Sequence, residues 1–310
     1  MHHKAKINSA LNATLHEYAD HSRGFTSQIL VDGSAGAVHM RVLCNHLAAG
    51  GAIDPHIHSY EESFFVLEGN PILILDGRAI QLAPGSTGVI PLGREHSWRT
   101  VDEARWFETD SPLPRASQTT ADTYFLGKRP DAAETGHLDV RDPRNRNFFQ
   151  WTPDQNDTEK LQKGVRADAN EASASMSTAV YAYTGIAVKV LVNERLDAET
   201  HTLLLVEFHD SAVLQPHDHP FEELYFVLEG ETTIHVDEAE YVLGPGDVVW
   251  TGVGTIHKFE NSSGARVRFL EPQAPQPPRQ HAYRFARDWD YLESCIRGEP
   301  HHEVDTGSIH

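Results

Sequence analysis

The chain has 310 residues, with 45 acidic against 26 basic side chains and a formal net charge of −19 at pH 7. Nucleic acids and anionic membranes are bound by basic faces, so this charge argues against both as partners. No apolar run approaches the length of a membrane span, and the start lacks an apolar signal-peptide core. We therefore expect a cytoplasmic protein, long enough for two domains that each bury a core.

The first part of the chain is predicted to be a β-rich domain, residues 1–110, with a leading helix. Apolar residues at helical spacing within residues 7–18 indicate a short amphipathic helix; they are Ile7, Leu11, Leu15 and Tyr18. From Gly24 to about Thr109, β-branched and aromatic residues alternate with turn signals such as Asp76-Gly77. Many short strands with regular turns favour a sandwich or jelly roll over a βαβ fold.

The rest of the chain is interpreted as a connector, a second β-rich domain and a tail. Prolines interrupt residues 111–177, whose structure the pattern does not assign. A second β-rich block covers residues 178–271. Residues 272–278 form a proline-rich exit that should be extended. Beyond it, helical spacing from Phe285 to Ile296 predicts a C-terminal helix, and the last dozen residues look like a solvated tail.

There are two cysteines, Cys44 and Cys295. Cys44 falls in an apolar strand, where a buried core thiol is expected, and Cys295 falls in the predicted C-terminal helix. A disulfide-free cytosolic protein is the natural interpretation. A bridge between the two is left open, although nothing requires it.

One arrangement of histidines, glutamate and glycines occurs twice in the chain. Each member of the first set lies 161 positions before its counterpart, as in 217 − 56 and 257 − 96. The same offset relates Ala104-Arg105 to Ala265-Arg266. A register kept over some eighty positions indicates a duplicated domain. The matched residues are His56, His58, Glu62, Gly69, Gly85 and His96 in the first copy, and His217, His219, Glu223, Gly230, Gly246 and His257 in the second.

The repeated residues have the pattern of metal ligands carried on strands. Alternate residues of a strand share a face, so His217 and His219 point the same way. A Gly-Pro-Gly-Asp turn then lets a later strand bring His257 back toward Glu223. Three neutral imidazoles and one carboxylate suit a divalent ion, with positions left for water, substrate or dioxygen. An isolated His-x-His is more often surface or core histidine, but two matching sets of four favour metal.

In these motifs the sequence resembles the cupin superfamily. The first family motif fits at Gly50, His56, His58, Glu62 and Gly69; the second fits at Gly85, Pro91, Gly93 and His96, with Thr100 in place of its final Asn. In the second repeat Ser211 and Gly252 depart from the pattern, whereas Gly254, His257 and Asn261 fit. The resemblance implies an all-β bicupin of two tandem double-stranded β-helix (jelly-roll) barrels with short flanking helices. Each barrel would hold a divalent metal; Fe or Mn is favoured, and Ni, Co, Cu and Zn are left open.

Residues two positions from a ligand should share the inner face and meet a substrate. At the first site these are Phe64, Arg94 and Trp98; at the second they are Gln215, Tyr225 and Phe259. Arg94 would offer a guanidinium to a carboxylate, or else pair with an acidic neighbour at the barrel mouth. Tyr225 would offer its phenol, or merely pack.

The resemblance leaves three hypotheses for function. The first is a dioxygenase acting on an enol, diol or aromatic compound, as in quercetin-cleaving and gentisate-cleaving relatives. The second is a redox-neutral isomerase, decarboxylase or aminohydrolase; oxalate decarboxylation is disfavoured because those relatives are longer. The third is a non-catalytic small-molecule binder. A homodimer built edge to edge is one expectation, and two repeats that cover each other within one chain is the alternative.

Overall fold

A computed structural model of the protein describes residues 3–6, 15–115, 120–127, 135–156, 185–210, 212–261, 263–276 and 284–285. In these ranges the helical elements are 3₁₀ turns at Pro143–Asn145, Pro153–Asn156 and Glu194–Leu196; all other regular structure is strand. No helix in these ranges is long and apolar enough to cross a membrane. The predicted all-β fold of two jelly-roll barrels is confirmed.

The first barrel is built from strands that are mostly buried, as at Glu61–Glu68 and Ser86–Ile90. Its long strand, β4, runs through both walls of the barrel and joins them into one sheet, twelve-stranded within the described ranges. The strands are β2 (Leu15–His16), β3 (Ser22–Val31), β4 (Arg41–His58), β5 (Glu61–Glu68), β6 (Ile72–Leu75), β7 (Arg78–Gln81), β8 (Ser86–Ile90), β9 (His96–Arg99), β10 (Ala104–Ser111), β11 (Thr123–Phe125), β12 (Thr135–His137) and β13 (Phe148–Gln150).

The second barrel repeats this arrangement with two separate sheets. Among the described strands, one sheet has the order β1-β20-β17-β22-β15-β14 and the other β19-β18-β21-β16-β23. The strands are β1 (His3–Lys6), β14 (Ile186–Val192), β15 (Thr202–Phe208), β16 (Val213–Asp218), β17 (Glu222–Glu229), β18 (Thr232–Val236), β19 (Ala239–Leu243), β20 (Val248–Thr251), β21 (His257–Glu260), β22 (Val267–Ala274) and β23 (Arg284–Phe285).

The offset of 161 between the copies ends after the last histidine of each site. In the first barrel Ala104 pairs with Leu47, and in the second Val267 pairs with Phe208, so the offset of the last strand is 267 − 104 = 163. The match of Ala104-Arg105 to Ala265-Arg266 is therefore wrong. The cause is the turn after β21, residues 261–266, which is two residues longer than the turn at 100–103.

The barrels pack on each other through a shared core and two reciprocal carboxylates. The core joins Val42, Phe107 and their neighbours in the first barrel to Leu205, Phe226 and theirs in the second. Glu61 of β5 accepts hydrogen bonds from the backbone N–H groups of residues 199 and 200, at 2.9–3.1 Å. Its counterpart Glu222, at 222 − 61 = 161, accepts from the N–H groups of residues 38–40. The two repeats thus cover each other within one chain.

Several sequence-based boundaries need correction. Leu15 and His16 form β2 rather than the end of a helix, and residues 7–14 lie outside the described ranges. Phe285 lies in β23, paired with β16, so the predicted C-terminal helix does not begin there. Pro272, assigned to the exit, is inside β22. Residues 3–6, assigned to the first domain, pair with β20 of the second barrel.

The connector at 111–177 supplies structure to the first barrel where it is described. Its strand β11 pairs with β4, and β13 pairs with β8. Cys44 is a buried free thiol, as predicted, and Cys295 lies outside the described ranges.

Candidate metal centres

The first site gathers residues from three strands at one end of the first barrel. His56 and His58 close β4, His96 opens β9 directly opposite His56 in the ladder, and Glu62 lies on β5. One ligand atom from each of the four lies within 4.8 Å of the others, and all four side chains are buried. The carboxylate atom Glu62 Oε2 is 3.1 Å from Nε2 of both His58 and His96. All four predicted ligands are brought together.

Hydrogen bonds behind the three imidazoles fix which nitrogen faces the site. His56 Nδ1 donates to the carbonyl of Asp54 at 2.7 Å, and His96 Nδ1 donates to that of Arg94 at 3.0 Å. A carbonyl oxygen can only accept, so Nδ1 carries the proton and the Nε2 lone pair is free to ligate. Such partners orient metal-binding histidines and raise their basicity.

At His58, the hydrogen-bond partner of Nδ1 comes from the connector. His58 Nδ1 lies 3.1 Å from Thr123 Oγ1, whose own proton is donated to the carbonyl of Ala121. The phenol of Tyr60 also reaches Thr123 Oγ1, at 3.2 Å, and Arg41 donates to that phenol. The sequence did not reveal this series of hydrogen bonds, because a three-residue strand such as β11 carries no readable periodicity.

The charge balance of the first site calls for a cation. Burial, and after it the neighbouring imidazoles, holds the pKa of His56 well below its ordinary range. Burial lowers the pKa of His58 to about 4, although Glu62 opposes the shift. Burial would raise the pKa of Glu62, but His96 and His58 outweigh it and hold the carboxyl ionised. Three lone-pair nitrogens therefore face an anion, and Glu62 Oε1 is buried without a hydrogen-bond partner. A divalent ion fits this donor set.

The separations also match coordination geometry. Two donors held about 2.1 Å from one ion at right angles lie about 3.0 Å apart. The two 3.1 Å separations at Glu62 Oε2 agree with that value.

The second site has the same frame. Nδ1 of His217, His219 and His257 lies 2.8–2.9 Å from the carbonyl oxygens of residues 215, 221 and 255. Ligand atoms of the three histidines lie within 4.8 Å of one another, and Glu223, unlike Glu62 in the first site, is not within that distance of all three. Glu223 Oε2 is 2.7 Å from His219 Nε2 and 3.5 Å from His257 Nε2.

In the second site the pKa shifts differ between the histidines. Burial, followed by His257, lowers the pKa of His217 to about 3. Burial would also lower the pKa of His219, but Glu223 raises it above its ordinary value. Burial would raise the pKa of Glu223, but His219 and His257 outweigh it and hold it well below its ordinary value.

Tyr225 distinguishes the two sites. Its phenol donates to Glu223 Oε2 and lies 2.7 Å from His257 Nε2. Phe64 occupies the corresponding position in the first barrel, 225 − 64 = 161, and brings no polar atom. Of the six residues expected to meet a substrate, Tyr225 is the one whose side chain touches the ligand atoms.

The other five expected substrate residues lie in the barrel cores, in the strand before His217 or at the surface. Trp98 and Phe64 are buried in the core of the first barrel, with ring centroids 5.3 Å apart, and Phe259 is buried against Tyr225. Gln215 is half-buried and contributes its carbonyl to His217. Arg94 is 43% exposed and pairs with Asp76, so it does not offer its guanidinium to the site.

Buried carboxylates behind the sites were not predicted. In the first barrel Glu108 accepts from Asn45 Nδ2 and Trp106 Nε1, at 2.5 and 3.0 Å. Asp110 pairs with the buried Arg41 at 2.7 Å. Burial, then Glu62 and Asp110, raises the pKa of Glu108 well above its ordinary value, so this acid keeps its proton. The alternation of Trp106, Glu108 and Asp110 along β10 was the signal that could have found them.

The second barrel keeps one of these carboxylates. Glu271 is the register equivalent of Glu108, at 271 − 108 = 163, and accepts from Gln273 Nε2 at 2.7 Å. Burial, and then Glu223, raises its pKa well above the ordinary value. Each barrel therefore carries two buried glutamates with opposite pKa shifts. The pKa of Glu62 or Glu223 is lowered, and that of Glu108 or Glu271 is raised.

An aromatic wall borders the first site. Phe125 of β11 pairs with His56 across the ladder, and their ring centroids are 5.5 Å apart. Tyr18 lies 5.9 Å from the same imidazole, and His21 stacks on Phe125 at 4.0 Å. Phe125 is half-buried and the His21 side chain is 44% exposed, so this wall leads from the ligands toward solvent.

Comparisons with known proteins agree with this architecture. The Cupin domain family matches residues 45–110 and 204–271. No curated protein matches the chain by sequence.

Solved structures of similar fold include two kinds of enzyme. Salicylate 1,2-dioxygenase from Pseudaminobacter salicylatoxidans has a TM-score of 0.62 at 14% identity, over 80% of this chain and 76% of that one. Oxalate decarboxylase from Lactobacillus farciminis, in its formate complex, has a TM-score of 0.61 at 14% identity, over 93% and 89%. A Bacillus subtilis oxalate decarboxylase with Mn(II) centres has a TM-score of 0.60 at 13% identity, over 93% and 80%.

These likenesses show the fold alone. The shares for the Lactobacillus enzyme imply chains of nearly equal length, so the expected greater length of oxalate decarboxylases does not hold for it.

Proposed function

The chain carries two cupin domains and is a bicupin, and from that premise we propose that it is a metal-dependent dioxygenase acting on a small enol, diol or aromatic compound at its first site. The observation that carries the proposal is the first site itself. Four donors converge there, one carboxylate oxygen has no partner, and an aromatic wall leads outward from the ligands. A bound Fe or Mn ion would supply Lewis-acid and redox chemistry at positions left for substrate and dioxygen.

The residues around the ligands suit a planar, weakly charged substrate. Phe125 and Tyr18 flank His56 and would stack against an aromatic or enol ring. Burial, followed by Glu108, raises the pKa of Tyr18, so its phenol stays protonated beside the ring it would contact. The buried interior behind the ligands excludes water, which protects reactive species from side reactions.

Electrostatics favour such a substrate over a dicarboxylate. Arg41 is a buried cation beside the first site, and its guanidinium is paired with Asp110 at 2.7 Å. Arg94, the cation expected to receive a carboxylate, is paired with Asp76 at the surface. A substrate with two negative charges would meet the ionised Glu62 without a compensating guanidinium from either arginine.

A redox-neutral decarboxylase is the second candidate, favoured by the fold likeness to oxalate decarboxylases. Oxygen uptake separates the two. Protein loaded with Fe(II) or Mn(II) is mixed with catechols, hydroxybenzoates, enols and oxalate in an oxygen electrode, and carbon dioxide is measured in parallel. The proposal expects oxygen uptake stoichiometric with a ring-opened or cleaved product.

The matched control is His96→Ala, which removes a ligand of the first site, against His257→Ala in the second. Oxygen uptake should be lost in the first variant and kept in the second. Carbon dioxide release without oxygen uptake would replace the proposal by the decarboxylase.

A further inference from the structure

The phenol of Tyr225 is surrounded by more acceptors than it has protons to give. Its single O–H proton faces Glu223 Oε2 and His257 Nε2, the latter at 2.7 Å. His257 Nδ1 donates its proton to the carbonyl of Thr255, so Nε2 presents a lone pair. His219 Nε2 lies 2.7 Å from the same carboxylate oxygen, Glu223 Oε2.

Glu223 acts as an acceptor at both of its oxygens and has no proton to donate. Its other oxygen, Oε1, accepts from Gln273 Nε2 at 2.7 Å. The His257 lone pair, the phenol oxygen and one carboxylate oxygen therefore lie together with one phenol proton to share among them. All of these groups are buried, so water does not relieve the repulsion.

A cation placed among these atoms would interact favourably with each lone pair. Donors on adjacent positions of an octahedral ion lie about 3.0 Å apart. The phenol oxygen lies 2.7 Å from His257 Nε2, and Glu223 Oε2 lies 2.7 Å from His219 Nε2. The phenol oxygen thus lies directly beside the ligand atoms of His257 and Glu223.

We propose that Tyr225 is a direct ligand of the metal in the second barrel, so that this site has a phenolate oxygen which the first site lacks. Coordination breaks the phenol O–H bond, passes the proton to buffer and forms an oxygen–metal bond; no oxidation state changes. The anionic phenolate favours hard, more highly charged ions such as Fe(III). It also fills a position that the first site leaves to substrate, so the two metals serve different purposes.

Coordination of ferric iron by a phenolate is visible, because it gives a charge-transfer absorption that imidazole and carboxylate ligands do not. The experiment loads the full-length protein with Fe(II), oxidises it with ferricyanide and then removes the oxidant. Iron content, visible absorption and phenolate vibrations in resonance Raman are then recorded. The matched variant is Tyr225→Phe, because phenylalanine is what the first barrel has at the equivalent position, Phe64.

The expected result is a visible band that persists when the first site is removed by His56→Ala. The band should disappear in Tyr225→Phe while the circular dichroism of the native fold is kept. Iron bound in the second barrel without a band, or a band retained in Tyr225→Phe, overturns the assignment of this ligand. No iron in the second barrel also overturns it, and does so without touching the dioxygenase proposed for the first site.

Discussion

Replacing Glu222 by alanine should weaken the junction between the barrels. Its carboxylate accepts from the N–H groups of Val38, His39 and Met40 at 3.2, 2.7 and 2.9 Å. Val38 is 63% exposed, so water can replace its bond, whereas Met40 is fully buried. Two N–H groups that lose their partner at about 1–3 kcal/mol each give roughly 2–6 kcal/mol.

Desolvation places the effect in the lower part of that range. Burial raises the pKa of Glu222 above its ordinary value even though three N–H groups oppose the rise. The desolvation of the ionised carboxylate therefore offsets part of the stabilisation from its hydrogen bonds. We expect Glu222→Ala to lower the unfolding free energy by about 2–4 kcal/mol. Glu61→Ala, on the other side of the junction, should cost a similar amount.

Urea unfolding followed by tryptophan fluorescence measures this loss, since Trp250 lies in the shared core. The matched control is Glu68→Ala, an exposed glutamate on β5, which should change the unfolding free energy by less than about 0.5 kcal/mol. A Glu222→Ala protein as stable as the control would refute the argument that this carboxylate joins the barrels.

Three further outcomes follow from the geometry. Glu61 and Glu222 should show opposite pH dependence relative to their Gln variants. Burial would raise the pKa of Glu61, but hydrogen bonds from His201 and Thr200 lower it. The contribution of Glu61 to stability is therefore present above about pH 4.3 and is lost as pH falls through the folded pKa. The raised pKa of Glu222 makes the proton-linked part of its contribution complete below about pH 4.3 and lost as pH rises through the folded pKa, while the hydrogen bonds from residues 38–40 remain; urea melts from pH 3 to 8 with slopes of one sign would contradict this. Thr123→Val should weaken first-site metal affinity about 10–100-fold in a chelator competition, because the Nδ1 proton of His58 loses its acceptor; unchanged affinity would exclude that role. Arg41→Met should destabilise the protein by about 3–5 kcal/mol in thermal or urea unfolding, because a buried Asp110 is left unpaired; a loss below about 1 kcal/mol would contradict the stabilising role of this pair.

Seven of the eight predicted ligands are gathered at their sites, and they could be predicted because their pattern depends on local rules. A period of two places His56 and His58 on one face, and a duplicated register identifies their counterparts. Arg94 escaped the same rule for a physical reason. Its N–H bonds to the carbonyl of Pro91 in a turn, and β9 begins at His96, so alternation does not extend back to it.

Other features depend on contacts that a single sequence does not display. Thr123 reaches His58 through a short strand of the connector, and Glu61 recognises backbone of the other barrel; both are long-range pairings. The register change after the second site was hidden because a chance Ala-Arg pair at 265–266 imitated the first copy. The helix predicted at 7–18 failed at Leu15, which pairs with Gln28 of β3, so tertiary pairing overrode local spacing.

Metal content measured on protein purified without added metal tests the central claim most directly. If each barrel gathers its donors around a cation, the wild-type chain should carry two metal equivalents. His96→Ala and His257→Ala should each remove one, from the first and the second barrel respectively, with the fold retained. A wild-type protein that binds no divalent metal even when Fe(II), Mn(II) or Zn(II) is offered, or variants that keep both equivalents, would contradict it.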